Sequence, residues 1–375
     1  MSQLFTPYTL PSPRGGLVLP NRIVVAPMCQ YQAVDGEATD WHLMHWGNLL
    51  NSGAGLFTIE ATGVLPEGRI TPACLGLWDD RTEAALADKL HRARKLAPHT
   101  AVCVQLAHAG RKASTQRPWE HHGAQIAPDA PHGWQTVSAS PLAYSEGQHP
   151  PQALDQAGID AVVAAFADSA RRAVRLGLQL IEIHAAHGYL LHQFLSPLSN
   201  QRRDEYGSSF ENRIRLTLQV VEAVRKVWPP ELPLFVRVSA TDWVEDGWNP
   251  DETVELARRL RGLGVDLIDV SSGGTSVNAE IPTGPGYQTR FAERVRKESE
   301  IATGTVGMIT EPAQAEHILR TGQADIIFLA RELLRDPYWP LHADDDLGGN
   351  KATWPAQYQR ATSRANPIHE SDLRD

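Results

Sequence analysis

Short runs of β-branched and aliphatic residues alternate along the chain with longer stretches in which apolar positions recur every three or four residues. Continuous apolar runs mark strands buried on both faces, and the longer period marks amphipathic helices. Their alternation predicts successive parallel βαβ units. Eight strands are predicted, at 23–27, 56–61, 101–105, 180–184, 234–238, 266–271, 304–308 and 325–330. The helices between them carry end signals. Ser208-x-x-Glu211 predicts a capping box ahead of the apolar positions Ile214, Leu218, Val221 and Val224. Asn249, followed by Pro250, Asp251 and Glu252, predicts an N-cap with a first-turn proline, and Gly264 closes that helix. Thr310 stands in a similar place before Pro312.

Eight consecutive units, with no reversal signal and no Gly-x-Gly-x-x-Gly after any strand, favour a (β/α)8 TIM barrel over a doubly wound sheet. A single α/β domain over 1–375 is expected, with two additions to a minimal barrel. Residues 1–22 are expected to form a hairpin across the barrel floor, using Leu17, Val18 and Leu19. Residues 106–154, after strand three, form a connection rich in Pro, Gly and His with Trp119 and Trp134, and a connection this long is usually functional, often a lid. Residues 341–375 form an extension whose polar end, from 361, is expected to fray.

Composition narrows the classes. With 42% hydrophobic and 21% charged residues the chain can bury a core. The net charge is −9, and its longest basic groupings are pairs such as Arg171-Arg172 and Arg202-Arg203, so no nucleic-acid partner is expected. Residues 1–10 lack the basic and apolar regions of a signal peptide, and no apolar run approaches the ~18 residues of a membrane span. Three widely spaced cysteines (Cys29, Cys74 and Cys103) offer no disulfide framework and no cysteine-based metal centre. A cytoplasmic protein is expected.

Barrel chemistry sits at the C-terminal ends of the strands. Those ends read Pro27-Met28-Cys29, Glu60-Ala61, Gln105, His184, Arg237, Ser271-Ser272-Gly273, Gly307-Met308 and Ala330-Arg331. Strand alternation puts Glu182 with His184, and Asp269 with Ser271, on single faces. Inward charges need partners, so Arg237 is expected to pair with Glu182 or Asp269 while also facing a ligand. Gly307 and Arg331 suit the phosphate pocket that barrels build after their last two strands. His184-Ala-Ala-His187-Gly-Tyr189 raises zinc as an alternative, but neither a Glu after the first His nor a nearby third ligand accompanies it. Two neutral imidazoles aimed at one oxygen, beside a phenol, suit enolate stabilisation and proton delivery. Other readings are a metal-dependent barrel hydrolase and a cofactor-binding sensor without turnover. Schiff-base chemistry is disfavoured because no lysine ends a predicted strand.

The motifs resemble those of the Old Yellow Enzyme family, specifically its bacterial thermophilic-like class of ene-reductases. The resemblance runs through Leu19-Pro-Asn-Arg-Ile23, Ala26-Pro-Met-Cys-Gln-Tyr31, Glu60-Ala61 and Gln105-Leu-Ala-His-Ala-Gly-Arg-Lys112. It continues through Ile181-Glu-Ile-His-Ala-Ala-His-Gly-Tyr189, Phe194 to Asn200, Arg202 to Asn212, Val236-Arg-Val-Ser239, Val306 to Thr310 and Ala330 to Pro337.

The resemblance implies FMN held by Ala26, Pro27, Met28, Cys29, Ala61, Gln105, Arg237, Gly307, Ala330 and Arg331. It implies NADPH as reductant, enone-type small molecules as substrates, and no catalytic metal. His184, His187 and Tyr31 face the substrate, Tyr189 donates the proton, and Cys29 tunes the flavin. Tyr358-Gln359-Arg360 resembles a segment through which one subunit inserts an arginine into its neighbour's site, which implies a homodimer or homotetramer. Ala330 stands where many relatives have glycine.

Overall fold

The computed structural model describes residues 2–13, 15–349 and 351–361. Eight strands close into a parallel ring: β1 (Ile23–Val25), β2 (Leu56–Gly63), β3 (Ala101–Ala107), β4 (Leu180–Ala185), β5 (Leu234–Ser239), β6 (Leu267–Ser271), β7 (Ala302–Thr305) and β8 (Ile326–Leu329). Each pairs with its sequence neighbours, and β8 returns to β1 with Phe328 opposite Val24. The (β/α)8 barrel and its hairpin are therefore as expected. The main shift is in β7, which ends at Thr305 rather than 308. Gly307 (φ +123°) and Met308 (φ 51°) are left-handed, and that geometry cannot continue a strand.

The hairpin strands Tyr8–Ser12 and Gly15–Leu19 pair antiparallel, with Leu10 opposite Leu17. Leu10 and Leu19 are fully buried against the lower barrel interior, in a cluster with Leu56, Leu180, Phe235, Leu267, Ile326 and Phe328. A second, larger apolar layer lies between the strands and the surrounding helices. At ~25 cal/mol per Å² of apolar area removed from water, these two layers supply the main drive for closure.

Of the three helix starts expected from the sequence, one holds and two are corrected. Asn249 caps Pro250–Gly262, its Oδ1 accepting from the N–H of Asp251 (3.0 Å) and Glu252 (3.1 Å), and Gly264 follows with φ +83°. The expected box at Ser208 moves one residue on. Ser209 is the N-cap and accepts from Asn212 N–H, while Ser208 turns the chain with φ 69°. Thr310 is not a cap either: Glu311 holds that place before Pro312–Arg320, without a side-chain bond.

The long insertion starts two residues later than expected, because β3 runs on to Ala107. It folds back on the barrel through Trp134, whose indole N–H donates to Glu67 O (2.9 Å), and through Thr115 Oγ1, which donates to Ile70 O (3.1 Å). Its last part is a short parallel pairing of Val137–Ser138 with Gln152–Ala153. No helix among the described residues is long and apolar enough to cross a membrane. The expected fraying from 361 concerns a segment that, from 362, lies outside the described residues.

Glu316 ties the start of the chain to the barrel. Its carboxylate accepts from Ser2 Oγ, Gln3 N–H and Leu4 N–H, each at 2.8 Å, and pairs with Arg320. These donors hold the Glu316 carboxyl below its usual range despite its burial. A depressed folded pKa means the contribution is present above the ordinary value of 4.5 and fades as pH falls through the folded value. Glu316→Gln is expected to lower unfolding free energy by about 2 kcal/mol at neutral pH, and by much less near pH ~3. Urea unfolding at the two pH values checks this; an equal loss at both would remove the ionised carboxylate from the account.

Candidate active site

Closure brings the C-terminal ends of all eight strands to one rim, so side chains distant in sequence converge there. Register sets the contacts. Gln105 lies opposite Glu182, and its amide Nε2 donates to Glu182 Oε1 (2.7 Å). Arg237 lies opposite both His184 and Asp269, and its Nε meets Asp269 Oδ2 at 2.9 Å. Of the two partners expected for Arg237, the ion pair forms with Asp269. Among the described residues, its two terminal amino groups receive no hydrogen-bond acceptor.

The turn after β4 is built on two left-handed residues, His187 (φ 58°) and Gly188 (φ +71°). A Cβ at Gly188 would meet Gly274 O at 2.1 Å, so only glycine allows the approach of the loop after β6. Three rings then gather. His184 lies edge-on to His187 (5.1 Å between centroids) and to Tyr189 (4.9 Å). His184 Nδ1 accepts the Ala186 N–H (3.2 Å), which leaves its proton on Nε2 as a free donor. His187 Nε2 pairs with Ser271 Oγ (2.8 Å); when the hydroxyl donates, the imidazole proton sits on Nδ1.

Burial, then the Arg237 charge, holds both imidazoles well below their usual pKa, so they are neutral donors. Burial pushes the Tyr189 phenol well above its usual range, so it keeps its proton. Burial likewise raises Cys29, which stays a thiol, and Tyr31. Tyr31 is itself left-handed (φ 55°) and packs edge-on against Trp119 of the insertion (5.8 Å). Among the described residues no group of three or more His, Cys, Asp or Glu is placed to hold a metal ion.

A cavity of about 360 Å³ opens at the ends of β7 and β8, lined by Gly307, Met308, Thr310, Ala330, Arg331 and Arg335. A Cβ on Gly307 would come within 2.7 Å of Gln288 Nε2, so glycine keeps the cradle's backbone accessible. Arg331 opens the short helix Arg331–Arg335, as expected. Arg360 does not join this rim. It is exposed in the single turn Ala356–Ala361. The adjoining Gln359 and Trp354 line a cavity with Pro20, Asn21, Gly53 and Thr100, at the opposite end of the barrel.

The chain's match to the NADH:flavin oxidoreductase / NADH oxidase family model spans residues 3–350. The chain belongs to this family. Curated relatives agree: NADPH dehydrogenase of Geobacillus thermodenitrificans (strain NG80-2) is 46% identical over 95% of this chain and 98% of its own length. NADPH dehydrogenase of Bacillus licheniformis is 45% identical over 96% and 98%. Among solved structures, morphinone reductase is similar over 95% of this chain and 92% of its own, with 27% identity and a TM-score of 0.75. The chain is thus a flavin oxidoreductase of the Old Yellow Enzyme type, as its motifs implied.

Lys112 was given no role by the sequence, because it lies beyond a strand end. Its ammonium donates to His187 O (2.8 Å) and Gly274 O (2.9 Å), and packs 4.6 Å from the Tyr144 ring and 5.3 Å from the Tyr189 ring. It therefore joins the insertion, the histidine turn and the loop after β6. Burial, with Arg111 nearby, pushes its pKa down to about 8, leaving it charged at neutral pH. Lys112→Met is expected to destabilise the protein by about 2 kcal/mol and to speed amide exchange at 186–189 and 272–275 selectively. Unchanged exchange in both segments would show that the turn keeps its shape without the ammonium.

Proposed function

We propose that the rim binds FMN and that the enzyme reduces carbon–carbon double bonds activated by a carbonyl or nitro group, with NADPH as reductant. The observation that carries this reading is the grouping of two neutral imidazoles and one protonated phenol beside Arg237 and Gln105. The residues present fit FMN at both ends. The unpartnered amino groups of Arg237, with the oriented amide of Gln105, suit a polar flavin ring edge, and the Gly307 cradle beside Arg331 suits a terminal phosphate. Ala26, Pro27, Met28, Cys29, Ala61 and Ala330 complete its walls. Bound there, FMN supplies hydride chemistry that no side chain can.

The protein's own part is orientation and charge. His184 Nε2–H and a proton of His187 hold the substrate's activating oxygen, stabilising the negative charge that gathers on it. Their neutrality matters, since a neutral donor binds an oxyanion without surrendering its proton. Tyr189, kept protonated by burial, gives its proton to the α-carbon. Tyr31 and Trp119 form a wall for the substrate's apolar part. The Cys29 thiol, too high in pKa to be a nucleophile, adjusts the flavin's electronics instead. The names of the relatives support NADPH as the donor. A cytoplasmic homodimer or homotetramer accommodates Arg360: standing far from its own rim, it is free to serve that of a neighbouring copy.

Purified protein is expected to be yellow and to release FMN on denaturation, identified by mass spectrometry. Arg331→Ala should weaken FMN binding tenfold or more with little change in fold, since a surface arginine usually contributes within about 0.5 kcal/mol. Well-folded protein that releases FAD, or no flavin, would sink the reading. Tyr189→Phe should leave NADPH oxidation nearly intact and slow 2-cyclohexenone reduction by at least ~100-fold, the usual range for a lost general acid. Stopped-flow absorbance separates the two steps. Equal slowing of both would instead make Tyr189 a shaper of the nicotinamide site.

A further inference from the structure

Beneath the rim, four inward polar side chains meet inside the closed ring: Gln105, Glu182, Arg237 and Asp269. Glu182 and Asp269 are both fully buried. Two carboxylates therefore face a single guanidinium, and with both ionised the barrel interior would hold an uncompensated negative charge. A buried charge without a partner is strongly disfavoured, and the group takes up a proton instead. The contacts say which carboxylate does so. Asp269 Oδ2 lies 2.9 Å from Arg237 Nε, whereas the hydrogen bond made by the Glu182 side chain is from the neutral Gln105 amide (2.7 Å). Glu182 Oε2 and both carboxylate oxygens of Asp269 are buried without a hydrogen-bond partner among the described residues, the 2.9 Å Arg237 contact being an ion pair by distance. A hydroxyl on Glu182 turns one of these three unmatched acceptors into a donor.

We propose that Glu182 is a protonated carboxylic acid at neutral pH, that Asp269 alone is the counter-ion of Arg237, and that Glu182 acts as an internal proton store beneath the flavin site. The first two statements concern this chain alone; the third rests on FMN lying against Gln105 and Arg237. Burial, and then the Asp269 charge, raises Glu182 to about 8, while Arg237 holds Asp269 near 6 against its own burial. The other groups facing Glu182 do not change this order. Gln105 is neutral, the Cys103 thiol is kept protonated by burial, and His184 is kept neutral.

The sign of the pH effect follows. Well below pH 8 Glu182 stays neutral in either state of the flavin. Above it, Glu182 ionises in the oxidised holoenzyme, and negative charge gained on reduction draws a proton back onto the carboxylate. The midpoint potential should then fall more steeply with pH, over a window beginning near 8, than it does below it.

Infrared difference spectroscopy of the apoprotein between pH 6 and 10 tests the proton directly. A carbonyl stretch of buried carboxylic acid is expected, lost with a midpoint near 8; Glu182→Gln should lower its intensity and leave the share of Glu60, which burial also raises to about 8. No such band, or one of unchanged intensity in Glu182→Gln, overturns the assignment. Glu182→Gln mimics the protonated acid, so FMN affinity at pH 7 should change less than threefold, whereas Asp269→Asn should weaken it tenfold or more. Equal losses in both variants would mean Glu182 is ionised. In the holoenzyme, the alkaline steepening of potential should vanish in Glu182→Gln; steepening that persists there overturns the proton store. Failure of FMN to bind at all would defeat the function proposed above while leaving the infrared band to stand.

Discussion

A ring of parallel strands has no free edge, and the hydrogen-bond ladder that closes it sets the height of every inward side chain. This constraint governs the rest of the molecule. Because Gln105 stands level with Glu182, and Arg237 level with both His184 and Asp269, Gln105 and Arg237 are each held by a side chain from the next strand. A slip of one residue in any pairing would turn those groups outward, against apolar helix faces. Stability and site geometry therefore come from the same interaction. The buried charges raise the demand on it, since each must find its partner at the height the ladder dictates.

The loops above the rim are fixed by other means. The turn bearing His187 and Tyr189 adopts left-handed geometry that L-residues avoid, and it persists because surrounding bonds hold it. Lys112 binds its carbonyl side, Ser239 Oγ accepts the His187 N–H (2.9 Å), and His192 Nδ1 accepts the Gly188 N–H (2.9 Å). His192 is in turn held by Asp242 (3.1 Å), which also accepts from Ser196 Oγ (2.6 Å) and Trp248 N–H (2.8 Å). The rings of His187 and Tyr189 are thus the outermost layer of a stack of polar contacts that runs back into the protein. Their orientation is settled before a ligand arrives, which is what electrostatic preorganisation requires.

The barrel was legible because apolar runs and helix caps are local, and so was the rim, because strand alternation is local too. Gln105, His184 and Arg237 could be found by asking which residue ends each strand. Lys112 could not, since its carbonyl partners lie 75 and 162 positions away in sequence and nothing near it marks the contact. The choice between Glu182 and Asp269 as partner of Arg237 was likewise open, because both lie on neighbouring strands and only register decides. Ser208 and Thr310 misled for a simpler reason: an N-cap motif fixes a helix start only to within a residue when a second candidate, Ser209 or Glu311, stands beside it. At β7 a usable signal was present. Gly307 was read as part of the phosphate pocket, and a glycine's backbone freedom there should have ended the strand before it.

The hairpin under the barrel has a hydraulic consequence. With Leu10 and Leu19 packed onto Phe235 and Phe328, the interior is a blind well and not a tunnel. Nothing can pass through it. Water expelled by an arriving molecule must leave by the mouth through which that molecule enters, so filling and draining are traffic in opposite directions through one doorway, framed in part by the insertion that carries Trp119.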